Sequence, residues 1–489
     1  MTTTEPWMPR LKATRRLTAA LFGIAAVGSV SVPAVAQTLN SGQGASSSQQ
    51  VAHPSAVPPL PAPEALFPTM FGAQPWLRDH GIAILLDTIG ELAGNVTGGG
   101  GPRNITGNTG GGSSFDGQVG FETDIDWEKL AGITGFSTNS IIISRYGGLP
   151  ASYQIGDTLN ASSEVYGAGG NVVAHLVQVY GQETLLGGGL QIQAGRIPLD
   201  DYFDASPLFC AYASNALCGN PKNFVDNALS HTTYPDAGYA VHVLFAPSPH
   251  AYIQTGVYFS QSNFYNYGKG FRTGFNWSTN YITGEAFPVE IGWVPSFGAQ
   301  HLPGHYKLGF VYDNNTHLDN YYAINGSAFA TNGLPPRNLH GTSSVYVQAD
   351  QMVVRNGPGP NSGIIVLAGY SHNDPESATR ADQFYVGAQD LGFWSARPFD
   401  QINLLATYQT VSGLLGKSQG YELDEGFSIV SGGASGIQNY GMTFEANYAI
   451  HVYRGFTFAP DFQYYIRPNA QANLPDAAFL GFKTHLEFF

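Results

Sequence analysis

The chain has 489 residues and a formal net charge of −14; 43% of its residues are hydrophobic, only 11% are charged, and it holds 61 Gly, 30 Phe and 27 Tyr. So little charge, less than half of the roughly 25% usual in a soluble domain, points to a membrane. Yet mean hydropathy is −0.09 and no run of about 18 apolar residues follows residue 36, which excludes a bundle of membrane helices, while the acidic balance leaves no basic stripe for nucleic acid.

At the N-terminus, Arg10, Lys12, Arg15 and Arg16 precede an apolar stretch from Leu17 to Val30, and Ala34-Val35-Ala36 follows. A basic start, a short apolar core and an A-x-A site predict a secretory signal peptide over residues 1–36 and export of the rest. Residues 37–80 read as a leader rich in Pro and Ser, followed by a periplasmic N-terminal segment. Residues 81–489 read as one domain.

From about Gly81 onward the chain alternates polar and apolar residues with period two. Gln118, Glu122, Asp124 and Asp126 fall on one face, against Val119, Phe121, Ile125 and Trp127 on the other; Tyr252–Phe259 and Gln401–Thr410 repeat the pattern. Each strand therefore has one wet and one apolar face. Strands are expected at 82–96, 117–127, 138–146, 171–181, 187–196, 238–247, 251–261, 286–294, 305–313, 342–354, 362–373, 382–391, 400–411, 440–450, 456–466 and 478–488. Their connections alternate between long ones, such as 197–237, and tight ones, such as Tyr453-Arg454-Gly455. An even-stranded antiparallel sheet with connections sorted by parity predicts an all-β fold. It is a transmembrane antiparallel β-barrel of about 16 strands with long extracellular loops and short periplasmic turns. Closure removes the edges that so many strands would otherwise present.

The wet face carries Glu122, Asp124, Lys307, Asp313, Glu445, Asp461, Lys483 and His485, and the lipid face carries aliphatic residues with Trp293, Tyr306 and Tyr312 near strand ends. About sixteen strands enclose more space than side chains fill, so a polar, water-filled lumen is expected. Cys210 and Cys218 stand eight positions apart in the longest loop, and in an exported protein so close a pair predicts a disulfide. The C-terminal strand stops on Phe, with Phe488 in the lipid-facing register and Phe489 one residue out of it.

Two motifs with catalytic overtones do not hold up. Gly413-Leu414-Leu415-Gly416-Lys417-Ser418 imitates a phosphate loop, but Val occupies position 411 where its first Gly belongs, and the stretch reads as a plain loop. His301 and His305 are separated by Pro303 and Gly304, which bar the helix a zinc motif needs. Neither an enzyme nor a cofactor is expected.

Several stretches, in this order and spacing, resemble the carbohydrate-selective porins of the OprB family. They include Trp76-Leu77-Arg78-Asp79-His80-Gly81, Gln193-Ala194-Gly195-Arg196-Ile197-Pro198, Gln348-Ala349-Asp350-Gln351-Met352-Val353-Val354-Arg355, Arg397-Pro398-Phe399-Asp400 and Gln463-Tyr464-Tyr465-Ile466-Arg467-Pro468. The chain departs from the family pattern at Gly72-Ala73-Gln74-Pro75-Trp76, where relatives have Gly-Asp-Trp-Gly-Gly. The resemblance implies a sixteen-stranded outer-membrane barrel that passes sugars by diffusion.

Sugars are polar at their edges and weakly apolar on their ring faces, so a pore favours them with hydroxyl-pairing groups beside aromatic platforms. The expected channel residues are Glu122, Asp124, Arg145, Arg196, Asp200, Asp201 and Trp277. Arg196, Asp200 and Asp201 would hinge a Cys-containing loop that narrows the lumen. Alternatively, Arg196 and the two Asp only pin that loop to the wall. Expected partners are mono- or oligosaccharide solutes, with outer-membrane lipid and lipopolysaccharide around the wall and no nucleic acid. The assembly is a monomer or a homotrimer. A general cation-preferring porin is the competing function, since an acidic lumen by itself favours cations.

Overall fold

The computed structural model describes residues 65–100, 112–148, 154–165, 172–225, 233–261, 273–359, 361–429 and 434–489. The expected signal peptide and most of the leader lie outside them. The strands are β1 (Ile82–Gly98), β2 (Gly112–Asp126), β3 (Phe136–Gly147), β4 (His175–Leu185), β5 (Leu190–Ile197), β6 (Gly238–Ser248), β7 (Ala251–Gln261), β8 (Ile282–Trp293) and β9 (Ser296–Phe297). They continue with β10 (Leu302–Ala323), β11 (Pro336–Arg355), β12 (Gly363–Asn373), β13 (Arg380–Leu391), β14 (Gln401–Val411), β15 (Tyr440–Tyr453), β16 (Phe456–Ile466) and β17 (Ala477–Glu487). Among the described residues, α1 (Ala73–Asp79) precedes β1, and α2 (Trp127–Ala131), α3 (Lys222–Val225), α4 (Phe329–Asn332) and α5 (Gly413–Asp424) lie in the connections.

Two-residue β9 pairs only with the start of β10. The other sixteen strands form one closed antiparallel barrel in chain order, and β1 pairs with β2 on one side and with β17 on the other. Closure leaves every wall strand with two neighbours, which satisfies backbone donors that hydrocarbon could not. The expected alternation holds around the wall. On β10, Leu308, Phe310 and Tyr312 are exposed on the outer face while Lys307 and Asp313 are buried on the inner one. Ile253, Ile291, Trp293 and Leu480 continue the exposed outer face.

Three expectations need correction. β10 and β11 run well past 305–313 and 342–354. Beyond Asp313 both faces are polar, so alternation no longer reports a strand that the ladder from Thr316–His340 to Ala323–Pro336 still pairs. Trp127 is the first residue of α2, not the last of a strand, because the Asp126 carboxylate accepts from the N–H groups of Glu128 and Lys129 at 3.0 and 3.2 Å and caps a helix there. The stretch read as a plain loop from Gly413 is α5, started by Ser412, whose hydroxyl accepts from the Leu415 N–H at 3.4 Å.

The N-terminal segment packs on the barrel despite its departure from the family pattern. Leu66 and Phe67 donate their N–H groups to the carbonyls of Glu487 and Phe488 at 2.9 and 2.7 Å. Gln74, on α1, is fully buried and donates to the Ile84 carbonyl at 2.8 Å. Phe489 also has a structural role, since its carbonyl oxygen accepts from the Leu86 N–H at 3.0 Å and extends the β1–β17 seam.

Candidate functional site: a lumen narrowed by two loops

The connection from β5 to β6 turns into the barrel rather than away from it. Lumen-facing side chains of the wall bind its backbone: Gln254 donates to Tyr202 O at 2.7 Å, Lys307 to Ala205 O at 2.5 Å and Gln389 to Leu208 O at 2.6 Å. Gln383 reaches Ala216 O at 2.6 Å, and Asn447 reaches Ala211 O at 2.9 Å. On β15 the Glu445 carboxylate accepts the N–H groups of Ala213 and Ser214 at 2.7 and 3.0 Å. These amides and charges are the wet face legible in the sequence, and their partner is the loop.

Where the loop lies, the inner wall is not polar throughout. Leu199, Tyr202, Phe203 and Phe224 pack with Ala240, Tyr258, Val311 and Tyr346 of the wall. Phe209, Tyr212 and Leu217 pack with Leu367, Tyr385 and Leu405. On that side the expected polar lumen therefore carries apolar side chains beside its amides and charges, because the loop needs an apolar seat to stay inside. Cys210 and Cys218 form the expected disulfide, with Cα atoms 4.5 Å apart, at the centre of this seat.

A second insertion, residues 154–165 from the β3–β4 connection, joins the first. The Ala161 N–H donates to Asn215 Oδ1 at 2.5 Å and the Asn215 N–H returns to Ala161 O at 3.2 Å. Wall carboxylates hold it: Glu91 accepts from the Val165 N–H and Asp116 from the Ser163 hydroxyl, both at 3.0 Å. Arg380 donates to Leu159 O at 2.5 Å.

Across from this seat, β2 to β4 present a polar row. The Asn139 amide donates to Glu122 and to Asp124 at 2.7 Å each, and its oxygen accepts from Gln178 at 2.8 Å. Arg145 donates to Gln118 at 2.7 Å, and its guanidinium lies 5.3 Å from the centroid of the Tyr234 ring. Asp200 accepts the Tyr234 N–H at 2.9 Å and so ties the start of the β5–β6 loop to its end. Burial pushes the neighbouring Asp201 carboxyl well above the ordinary carboxylate range, and the charges of Asp200 and Glu122 push it the same way. Burial also raises Asp236 to about 7, against the pull of Arg145 and Arg196.

Of the expected channel residues, Glu122, Asp124, Arg145, Asp200 and Asp201 come together around this row. Arg196 and Trp277 do not. Inward-facing Gln193 donates to Gln182 at 2.7 Å, whereas Arg196 pairs across with Val179 and Tyr239, in the outward row of Ile192 and Val241. The Arg196 guanidinium donates to Ala237 O at 2.7 Å, to Asn276 O at 3.3 Å and to Gly274 O, and it stacks 5.4 Å from the ring centroid of Trp277, which is half exposed. Its donors serve backbone carbonyls, so Arg196, only 3% exposed, fastens loop ends from the outward row. Sequence reasoning missed Asn139, Gln178 and Glu91 as partners, although Asn139 stands six residues from Arg145 on β3 and so shares its face.

A closed sixteen-stranded barrel with a loop-narrowed polar interior is the architecture of an outer-membrane porin. Residues 112–488 match the model of a protein family described as "Carbohydrate-selective porin, OprB family", and the chain belongs to that family. It is similar to porin B of Pseudomonas aeruginosa, with 24% identity over 85% of this chain and 90% of the relative. It is also similar to the putative porin QuiX of Acinetobacter baylyi, with 23% identity over 85% of this chain and 91% of the relative. The structure of Pseudomonas putida OprB at high pH superposes with a TM-score of 0.79 at 23% identity, over 87% of this chain and 99% of that one.

Proposed function

We propose that the chain forms a water-filled channel through which mono- or oligosaccharides diffuse passively into the periplasm, with the two inserted loops setting its bore. In this reading Glu122, Asp124, Arg145, Asp200 and Asp201 border the sugar path, which runs along the polar row of β2 to β4. The observation that carries it is the division of the interior. On one side the inserted loop packs and hydrogen-bonds against the wall, and on the other the row of β2 to β4 holds amides and carboxylates, groups matched to hydroxyls. Membrane lipid and lipopolysaccharide would contact the exposed aliphatic and aromatic outer face, and one barrel suffices to make a pore, as a monomer or within a homotrimer.

The acidic interior favours a second reading, a general cation-preferring porin. Single-channel recording in planar bilayers separates the two. Sugar added on one side should lower conductance in a saturable way; conductance unchanged by any sugar would refute the sugar path and leave the cation-preferring channel.

A further inference from the structure

Lys483 stands on the inner face of β17, paired across the seam with Glu91 of β1, and is only 7% exposed. Its Nζ donates to Glu164 Oε2, to Cys210 O and to Tyr212 O, each at 3.1 Å, and lies 3.6 Å from Glu91 Oε1. An ammonium has three hydrogens to donate, and here all three go to the inserted loops. Glu164 belongs to the insertion from the β3–β4 connection; Cys210 and Tyr212 belong to the β5–β6 loop, at the start of its disulfide-closed segment. One cation thus joins two loops and both strands of the seam.

We infer that Lys483 is the positioning residue that seats both loops, and so sets the bore and sugar preference of the channel without touching sugar itself. Charge makes the role specific. Glu91 and Glu164 both turn to this ammonium; without it, wall and β3–β4 insertion face each other as like charges in a poorly hydrated space. The Ala161–Asn215 pair couples the loops, so displacing one displaces the other. Glu445 and Asn447 hold only the β5–β6 loop. The proposal rests on the sugar-channel reading for its sugar readout alone.

The test compares Lys483→Met, which keeps length and removes charge, with Lys483→Arg and Glu164→Gln in the full-length protein. Folding is read as a heat-modifiable band, and the pore as single-channel conductance and the sugar concentration giving half-block. Folded Lys483→Met should show conductance raised about twofold or more and half-block shifted about fivefold or more upward, as expected when a multi-site constriction is loosened. Lys483→Arg should return both values towards wild type, and Glu164→Gln should move both in the same direction as Lys483→Met by less. Should Lys483→Met not fold, Glu164→Gln decides, because Glu164 sits on a loop rather than in the wall. Wild-type conductance and block in the deciding variant, or an Arg variant as altered as the Met one, would overturn the proposal. If wild-type protein shows no sugar block at all, the sugar-channel reading fails while the conductance comparison still decides the role of Lys483.

Discussion

Arg196 shows how one side chain's direction changes what its removal should do. A guanidinium in the lumen would offer hydroxyl-binding donors and oppose the acids there. On the outer row it instead fastens Ala237, Gly274 and Asn276. Arg196→Ala should therefore leave reversal potential and sugar block at wild-type values, and should destabilise the folded barrel by about 1–3 kcal/mol, the usual cost of stranding buried polar partners. Urea titration of the folded band measures the second effect. Asp400, in the turn before β14, gives a prediction with a pH sign. Burial alone would raise its carboxyl, but Arg397 at 2.5 Å, the Tyr448 hydroxyl and the His451 N–H together hold it below the usual carboxylate range. A depressed folded value stabilises the protein above the unfolded pKa of about 4, and this stability is lost as pH falls through the lower folded value. Asp400→Asn should lower stability at pH 7 and flatten its decline between about pH 5 and pH 2 relative to wild type. A parallel decline in the two proteins would show that the turn is not titrating.

At the scale of elements, the inserted β5–β6 loop is held far more by the wall than by its own disulfide. An eight-residue separation closes a loop worth roughly 2–3 kcal/mol in chain entropy. Glu445, Gln383, Gln389, Asn447 and Lys483 bind its backbone from three strands, β13, β15 and β17. The Cys210→Ser, Cys218→Ser double variant should keep its heat-modifiable band and most of its sugar block; loss of the band would make the disulfide a structural element of the wall. The wall strands were legible in the sequence because period-two alternation follows directly from one lipid face and one inner face. The inward course of the loop was legible only as an option, because its apolar residues, Leu199, Phe203 and Phe224 among them, have no period and find their partners on strands far away in sequence. The outward course of Arg196 was open to parity, since Arg196 stands three residues from inward Gln193 and four from outward Ile192 on β5. The helix α5 was missed because its start depends on one serine cap and its apolar residues do not recur at helical spacing.

At the scale of the whole molecule, the barrel's orientation is testable by labelling. A cysteine at Thr331, exposed between β10 and β11, should react with an impermeant reagent on intact cells, and one at Ser248, in the β6–β7 turn, should not. Reaction at Ser248 would invert the assignment of long loops to the outside. The seam between β1 and β17 bears on how such a molecule is made. Asp87 and His485 meet across it from positions 398 residues apart, so it is the contact whose formation must wait for nearly the whole chain. Pairings this distant form slowly, since their entropy is lost before any contact compensates it. Lys483 arrives with that last strand, and neither loop can reach it until the ring is complete. During biogenesis the pore should therefore exist first as a wide, leaky cylinder, or as a sheet still open along one side, and acquire its permeability barrier only in the final step. A cell producing this protein is protected from its own unfinished channels only if closure and insertion into the membrane coincide.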